Sequence, residues 1–360
     1  MQGKRKSQFG VAIVGAGAFG ARRAAAVVAD SRSALVAVAD PVFERGRALA
    51  QACNACLAAN WREVIARDDV DVVIVATPTA IAPEIAFASL EAGKHVLAEK
   101  PFGRSADEIL SAVGAARNRD RSLKVGYNHR YHPALAKAHE ICRGGAIGRL
   151  FYLRCVYGHG GRPGYECEWR GRPEISGGGQ LLDQGVHALD LFRWFAGEFV
   201  EVSAFLATSY WPISPVEDNV FALLRTREGA VAQLHAGWTQ WKNSFCFELG
   251  GECGAIVASG LGRSYGPERL VLQSRTKVGV APVETHFDFP AEDDSLAREW
   301  DDFLNAIVER REPMSSGADA WRTLKLVGAL YDSARQGKVV HLPGAPVPVE
   351  AVMAAGARRS

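Results

Sequence analysis

No stretch of this 360-residue chain approaches the roughly 20 consecutive apolar positions needed to cross a bilayer. A surplus of charge is also missing. The 42 Lys and Arg against 40 Asp and Glu leave a formal charge of +2, which argues against nucleic acid or an anionic membrane surface as partner. Cysteine is scarce, scattered and odd in number, with seven residues. Cys53 and Cys56 form one C-x-x-C, but no second pair or histidine cluster makes it a metal site, and no metal is expected. They read as two small residues of a helix. A disulfide framework is disfavoured, and a cytoplasmic setting is expected. The opening MQGKRKSQFG has no apolar core with a cleavage site, so no secretory signal is expected. Internal repeats and low-complexity tracts are absent.

What remains is an ordinary globular composition, 48% apolar and 23% charged. Single cores rarely grow past roughly 250–300 residues, so two domains are expected. In the first third, Val/Ile-rich runs at 9–14, 35–39, 71–76, 95–98 and 123–127 alternate with helical patterns at 18–29, 44–52, 81–91 and 105–118. Non-alternating apolar strands have both faces covered, and this order predicts a doubly wound parallel sheet of the Rossmann type. After Tyr127 the pattern changes. Helices at 133–143 and 180–195 surround a strand at 150–157. Strands then follow one another at 201–208, 219–225, 231–237, 244–250, 255–258 and 270–273. Successive strands without helices between them predict an α+β domain with a mostly antiparallel sheet, closed by helices at 296–309 and 317–336. The expected division is residues 1–127, residues 128–345, and a loose Pro-rich tail at 346–360.

Gly15, Gly17 and Gly20 lie between the first strand and the first helix, in VAIVGAGAFGARR. A G-x-G-x-x-G in that context predicts a dinucleotide floor. The first glycine makes the turn, the second admits the pyrophosphate, and the third lets helix and strand pack. Ala18 and Phe19 belong to the same turn, and the uncovered helix amides favour a phosphate there. Asp40 ends the second strand twenty residues beyond Gly20, where a carboxylate accepts the ribose hydroxyls of NAD and repels a 2′-phosphate. Arg45 on the next helix could neutralise such a phosphate, so NAD is favoured with NADP as the alternative. Thr77 and Pro78, at the end of a strand on the same rim, are expected near the nicotinamide ribose.

GKHVLAEKPFG places Glu99 and Lys100 at a strand end, with Lys100 towards the cofactor crevice and Glu99 among the cofactor contacts. A lysine there can stabilise the alkoxide that develops as hydride leaves. In GGGQLLDQGVHALDLFRWF, helical spacing puts Asp183, His187 and Asp190 on one polar face. A histidine can take a proton at neutral pH, and a carboxylate one turn away can orient it. The triple glycine before that helix brings backbone close to something. The loop 158–174 gathers His159, Arg162, Tyr165, Trp169, Arg170 and Arg172, a set suited to the faces and hydroxyls of a sugar ring. The arginines leave an anionic substrate as the narrower alternative.

The glycine turn, TP, GKHVLAEKP, GYNHRYHP and GGGQLLDQGVHALD together resemble the glucose–fructose oxidoreductase/inositol dehydrogenase (Gfo/Idh/MocA) family over nearly the whole chain. The resemblance implies a Rossmann domain followed by an α/β domain whose open sheet supports a homodimer or homotetramer. It implies Lys100, Asp183 and His187 as the catalytic group and Arg130 as a substrate-cleft residue. It implies an NAD-dependent oxidoreductase acting on a secondary alcohol of a sugar, cyclitol or sugar derivative. Ala82 is a departure, because family members often carry histidine a few residues after TP. Two rivals are a cofactor-binding sensor without catalysis and a dehydrogenase of the same fold acting on a non-sugar. Retention of Lys100 and His187 argues against the first, and the intact DQGVH against the second.

Overall fold

The computed structural model describes residues 8–275 and 279–343, and the tail expected at 346–360 lies outside them. Two compact units form. The first contains the chain up to Tyr127 together with Leu296–Trp321, and the second contains Asn128–Ser295 and the segment from Arg322. The segment Leu296–Trp321 therefore clusters with the first unit, not with the 128–345 block in which the sequence pattern placed it.

The first unit runs β1 (Phe9–Val14), α1 (Ala18–Ala29), β2 (Ser33–Ala39), α2 (Phe43–Ala52), β3 (Cys56–Leu57), α3 (Trp61–Ile65), β4 (Val72–Val75), α4 (Ala82–Glu91), β5 (His95–Ala98), α5 (Ala106–Asn118) and β6 (Leu123–Val125). All strands are parallel in the order β3-β2-β1-β4-β5-β6. The order reverses between β1 and β4, which opens the ligand crevice outside the carboxyl ends of the strands. Val11, Ile13, Val38, Ile74 and Leu97 form the core with Trp300, Phe303 and Leu304 of α9 (Ser295–Glu309). Trp300 Nε1 also donates to Ser33 Oγ at 3.1 Å. Sinking each large apolar side chain stabilises by about 1.5–3 kcal/mol, which ties this late segment to the early sheet.

Strand β3 and helix α3 carry no periodic signal, being two and five residues long. Asn60 holds α3 by accepting from the Arg62 and Glu63 amides. Cys53 and Cys56 are not on one helix as the sequence suggested. Cys53 caps the end of α2 and Cys56 starts the edge strand.

His95 opens β5, and its Nδ1 accepts the Ser122 amide at 3.0 Å, leaving the proton on Nε2. Burial, and then the charge of Arg121, push its pKa down to about 4. The unfolded chain therefore binds more protons between that value and the ordinary histidine range. Stability present above about pH 6.5 falls as pH drops towards 4, by on the order of 3 kcal/mol from this group. Melting temperature measured from pH 7 to 4 should fall less steeply for His95→Gln than for the wild type. Parallel curves would refute the assignment.

The second unit contains α6 (Pro133–Arg143), β7 (Leu150–Gly158), α7 (Pro173–Ser176), a π turn at Leu181–Gly185, α8 (Val186–Ala196), β8 (Phe199–Ala207), β9 (Asn219–Thr226), β10 (Val231–Gly237), β11 (Ser244–Gly251), β12 (Gly254–Ser259), β13 (Glu268–Ser274) and β14 (Val283–Phe289). Helix α10 (Gly317–Gln336) and β15 (Val340–His341) end the described chain. Nine strands form one sheet in the order β14-β13-β12-β11-β7-β10-β9-β8-β15, antiparallel except where β7 meets β10. Helices α6 and α8 pack on the sheet. In β9, Val220, Ala222 and Leu224 are buried while Phe221, Leu223 and Arg225 are exposed, so the other face is open. Phe205 of β8 and Phe151 of β7 are exposed as well.

Candidate active site

The glycine turn follows β1 in the first unit. Gly15 has φ +100°, and a Cβ there would lie 2.4 Å from the Ala76 carbonyl oxygen. A Cβ on Gly20 would lie 1.9 Å from the Gly15 carbonyl oxygen. Neither position tolerates a side chain. Gly17 differs, with nothing within 4 Å of its missing Cβ, so open space lies over the start of α1. No side chain caps that helix and its first turn has no acid, which leaves the amide end to a phosphate. Ala18 and Phe19 are exposed on that turn, and the Arg22 guanidinium stacks on the Phe19 ring.

Asp40 accepts the Ala16 amide on Oδ2 and the Val42 amide on Oδ1, both at 2.7 Å. The carboxylate thus clamps the glycine turn and keeps lone pairs for ribose hydroxyls. Arg45 is exposed on α2. Thr77 Oγ1 is buried with no hydrogen-bond partner among the described residues, and so is Thr79 Oγ1, which the sequence reading missed. A buried hydroxyl left unpaired costs about 1–3 kcal/mol, so two at one strand end point to a ligand that pairs them. Pro78 lies exposed between them. The open floor at Gly17 and these two hydroxyls fit a dinucleotide.

Lys100 is half-buried directly after β5, at the carboxyl edge of the sheet. Glu99, expected among the cofactor contacts, is instead committed to Arg23 of α1 at 2.5 Å. Arg23 also faces Glu299 at 2.6 Å. A Cβ on Gly126 would fall 2.7 Å from this guanidinium and 3.0 Å from Glu99 Oε2. That crowding explains the glycine of GYNHRYHP. Removing one partner of a buried pair costs about 3–5 kcal/mol, so Glu99 fixes the backbone beneath Lys100. A concavity of about 510 Å³ lies at the opposite edge, among His95, Arg121 and Ser122 where β5 and β6 begin, away from this chemistry.

In the second unit, Asp183 sits in the π turn and His187 in the first turn of α8. An extra residue per turn changes the angle between them from ideal helical spacing, and such turns recur at functional sites. His187 is buried and stacks face to face on His129, with centroids 3.7 Å apart and planes 11° from parallel. Tyr157 packs against both rings. His129 and Tyr157 were missed, although His129 lies beside the residue chosen in GYNHRYHP. Arg170 Nε approaches Asp183 Oδ2 at 3.5 Å.

The triple glycine approaches protein, not ligand. A Cβ on Gly178 would lie 1.9 Å from the Tyr331 hydroxyl, and one on Gly179 1.9 Å from the Glu217 carbonyl oxygen. The buried Glu217 carboxylate accepts from the Gly179 and Leu181 amides at 3.0 Å each, and from Tyr331 at 2.9 Å. It holds the start of the turn that carries Asp183.

Several expected substrate residues have structural work. Arg130 is buried in a two-bond pair with Asp190, at 2.8 and 2.6 Å. Asp190 thereby leaves the shared polar face that helical spacing predicted. Tyr165 is buried against Trp211 and Trp238, so its ring belongs to a small core. Arg162 lies over Tyr165 and pairs with Glu168 at 2.8 Å. These anchors explain why the loop is ordered. Trp169 is half-buried under the Arg170 guanidinium. His159 Nδ1 accepts the Gly161 amide, and burial lowers its pKa against the opposing charge of Asp183. His159, Arg170 and Asp183 therefore share one electrostatic neighbourhood.

Among the described residues no cluster of three or more His, Cys, Asp or Glu is placed to hold a metal. No helix of the described chain is long and apolar enough to cross a membrane.

Residues 9–127 match the oxidoreductase family's NAD-binding Rossmann fold, and residues 135–257 match the GFO/IDH/MocA C-terminal domain. A levoglucosan dehydrogenase of Pseudarthrobacter phenanthrenivorans is 29% identical over 325 residues, covering 79% of this chain and 83% of that one. A dTDP-3,4-didehydro-2,6-dideoxy-alpha-D-glucose 3-reductase of Saccharopolyspora spinosa is 30% identical, with 79% and 83% covered. A solved levoglucosan dehydrogenase in complex with NADH and L-sorbose superimposes with a TM-score of 0.86 at 26% identity, covering 93% of this chain and 99% of that one. The glycine turn clamped by Asp40, the parallel sheet, the mixed nine-stranded sheet and these matches along both units place the chain in the Gfo/Idh/MocA family of NAD-binding oxidoreductases.

Proposed function

We propose that the chain moves a hydride between NAD and a secondary alcohol or ketone carbon of a sugar, cyclitol or sugar derivative. The observation that carries this reading is the acid–imidazole group of Asp183 and His187, held by Glu217 and His129, in a chain with a dinucleotide floor. Relatives named levoglucosan dehydrogenase, 1,5-anhydro-D-fructose reductase and inositol 2-dehydrogenase support the substrate class.

Gly17 and the amide end of α1 hold the pyrophosphate, Asp40 the ribose, and Thr77 and Thr79 the groups at the strand end. NAD, when bound, supplies the acceptor for the hydride and its electron pair. Lys100 stabilises the oxygen that becomes negative as the carbinol hydrogen leaves. His187 takes the hydroxyl proton and Asp183 orients it or a substrate hydroxyl. Lys100 and His187 remain interchangeable as first proton acceptor. Trp169 and His159 line the substrate side, with Arg170 beside them.

A neutral polyol is favoured over an anion, because Arg162 is paired with Glu168 and Arg170 faces Asp183. Initial rates over sugars, cyclitols and nucleotide sugars, with NAD and with NADP, test the reading. Turnover of a neutral polyol, little affected by salt, is expected. NADH binding without turnover of any member would favour the sensor. The open sheet face bearing Phe205, Phe221 and Leu223 is the surface through which copies of the chain associate as a dimer or tetramer. Light scattering should return two or four chain masses, and a single mass would refute it. Seven free thiols support a cytoplasmic setting.

A further inference from the structure

Strand β5 ends at Ala98, and its ladder runs one residue further, where the Glu99 amide donates to the Val75 carbonyl at 2.8 Å. Lys100 follows at once, and the next two residues, Pro101 and Phe102, are buried. The stretch that carries the ammonium is thus anchored by apolar packing on one side. On the other it is anchored by charge, because the Glu99 carboxylate accepts from Arg23 Nε at 2.5 Å.

Arg23 is buried and reaches a second buried carboxylate, Glu299 of α9. Arg23 Nη1 lies 2.6 Å from Glu299 Oε2, a charge contact without an aligned hydrogen bond. Glu299 Oε1 lies 3.8 Å from Nζ of Lys124, the buried cation of β6. Lys124 also faces Asp302 at 3.6 Å and donates to Ser315 Oγ at 3.0 Å. All these residues belong to the first unit. Burial pushes the Glu299 carboxyl up, and the charges of Arg23 and Lys124 oppose that shift. One guanidinium is therefore divided between two carboxylates, so both of them set its place. Taking the charge from Glu299 leaves Arg23 to follow Glu99 alone, and the strand end loses its tether to α9.

We propose that Glu299 is a positioning residue for Lys100. Through Arg23 and Glu99 it ties the strand end that carries the ammonium to α9. The proposal rests on the reading of Lys100 as the group that meets the developing negative oxygen. It adds to that reading a distant residue that touches neither substrate nor cofactor. Misplacing a reacting group by about 1 Å can cost on the order of 100-fold, so a partial displacement is enough to be read in the rate.

The test uses the polyol turned over fastest by the wild type. Glu299→Gln keeps the shape and removes the charge. It should lower kcat on the order of tenfold and leave KM and NADH affinity within about threefold. A double-mutant cycle then separates positioning from general support. In a Lys100→Met background no ammonium is left to misplace, so adding Glu299→Gln should cost less than about twofold. An equal loss in both backgrounds would overturn the proposal, and so would no loss in the wild-type background. Asp302→Asn is the control, because it weakens the same cluster at Lys124 without touching Arg23. It should lower the melting temperature and leave kcat within about twofold. A loss there as large as that of Glu299→Gln would overturn the proposal, since any loosening of α9 would then suffice. Should Glu299→Gln fail to fold, Arg23→Lys reads the same link, because a single ammonium replaces the fork that spans both carboxylates. It should lower kcat on the order of tenfold in the wild-type background and hardly at all beside Lys100→Met, and any other pattern would overturn the proposal. Lys100→Met alone keeps the two readings apart. Turnover near the wild-type rate would remove Lys100 from the chemistry. If Lys100→Met loses activity while Glu299→Gln does not, only the present inference fails.

Discussion

Lys100→Met should bind NADH within a few-fold of the wild type and turn over about 100-fold more slowly, or worse. The chemistry follows from what hydride loss does to an alcohol. As the carbinol hydrogen leaves with its electron pair, charge builds on oxygen unless a donor meets it. In the proposed function an ammonium at the carboxyl end of β5 supplies that donor, and a 100-fold loss corresponds to about 2.7 kcal/mol of transition-state stabilisation. Methionine keeps the length and most of the volume while removing the charge. The backbone under residue 100 is set by Glu99, which Arg23 of α1 holds at 2.5 Å, so the substitution should leave the strand end in place. Fluorescence titration with NADH and steady-state rates on the same preparation give the two numbers. A variant that binds NADH and turns over near the wild-type rate would remove Lys100 from the catalytic group.

What the sequence disclosed and what it hid follow a physical line. The parallel sheet was legible because strands buried on both faces are written as unbroken Val/Ile runs, as in FGVAIV and VVIV. The glycine turn was legible because only glycine fits Gly15 and Gly20. Short elements such as β3, α3 and β15 were not, because two to five residues cannot show a period. Strand β14 is mostly exposed, so no core face marks it.

The site was misread where a residue's partner is distant in sequence. Arg130 looked available until Asp190, sixty positions on, took both its bonds. Glu99 lost its cofactor role to Arg23, seventy-six positions back. The triple glycine promised a close approach, and the neighbours proved to be Glu217 and Tyr331. His129 offered only adjacency to a motif, and its stacking on His187 depends on how α8 meets the segment before α6. Commitment of a side chain to a protein partner depended on contacts that no local pattern records.

Cofactor choice should be decided at Asp40, with kcat/KM for NAD exceeding that for NADP by about 100-fold in the wild type. Both carboxylate oxygens are held by backbone, Oδ2 by the Ala16 amide and Oδ1 by the Val42 amide. The group cannot swing away to admit a 2′-phosphate without releasing the glycine turn. Like charges about 4 Å apart at a protein surface repel by about 4 kcal/mol, and solvent and salt reduce this towards the 2.7 kcal/mol that a 100-fold preference represents. Arg45 of α2 could reverse the sign, because an exposed guanidinium can neutralise a phosphate. Its exposure keeps it screened, so Arg45→Ala should change the NAD-to-NADP ratio by no more than about threefold. Asp40→Ser keeps a short acceptor for the Ala16 amide and removes the charge. It should weaken NAD by on the order of tenfold and bring the two cofactors within about tenfold of each other. If the wild type used NADP better than NAD, the clamp would have been assigned the wrong partner. If Asp40→Ser lost both cofactors equally, the carboxylate would be a hinge for the turn, with ribose recognition lying elsewhere.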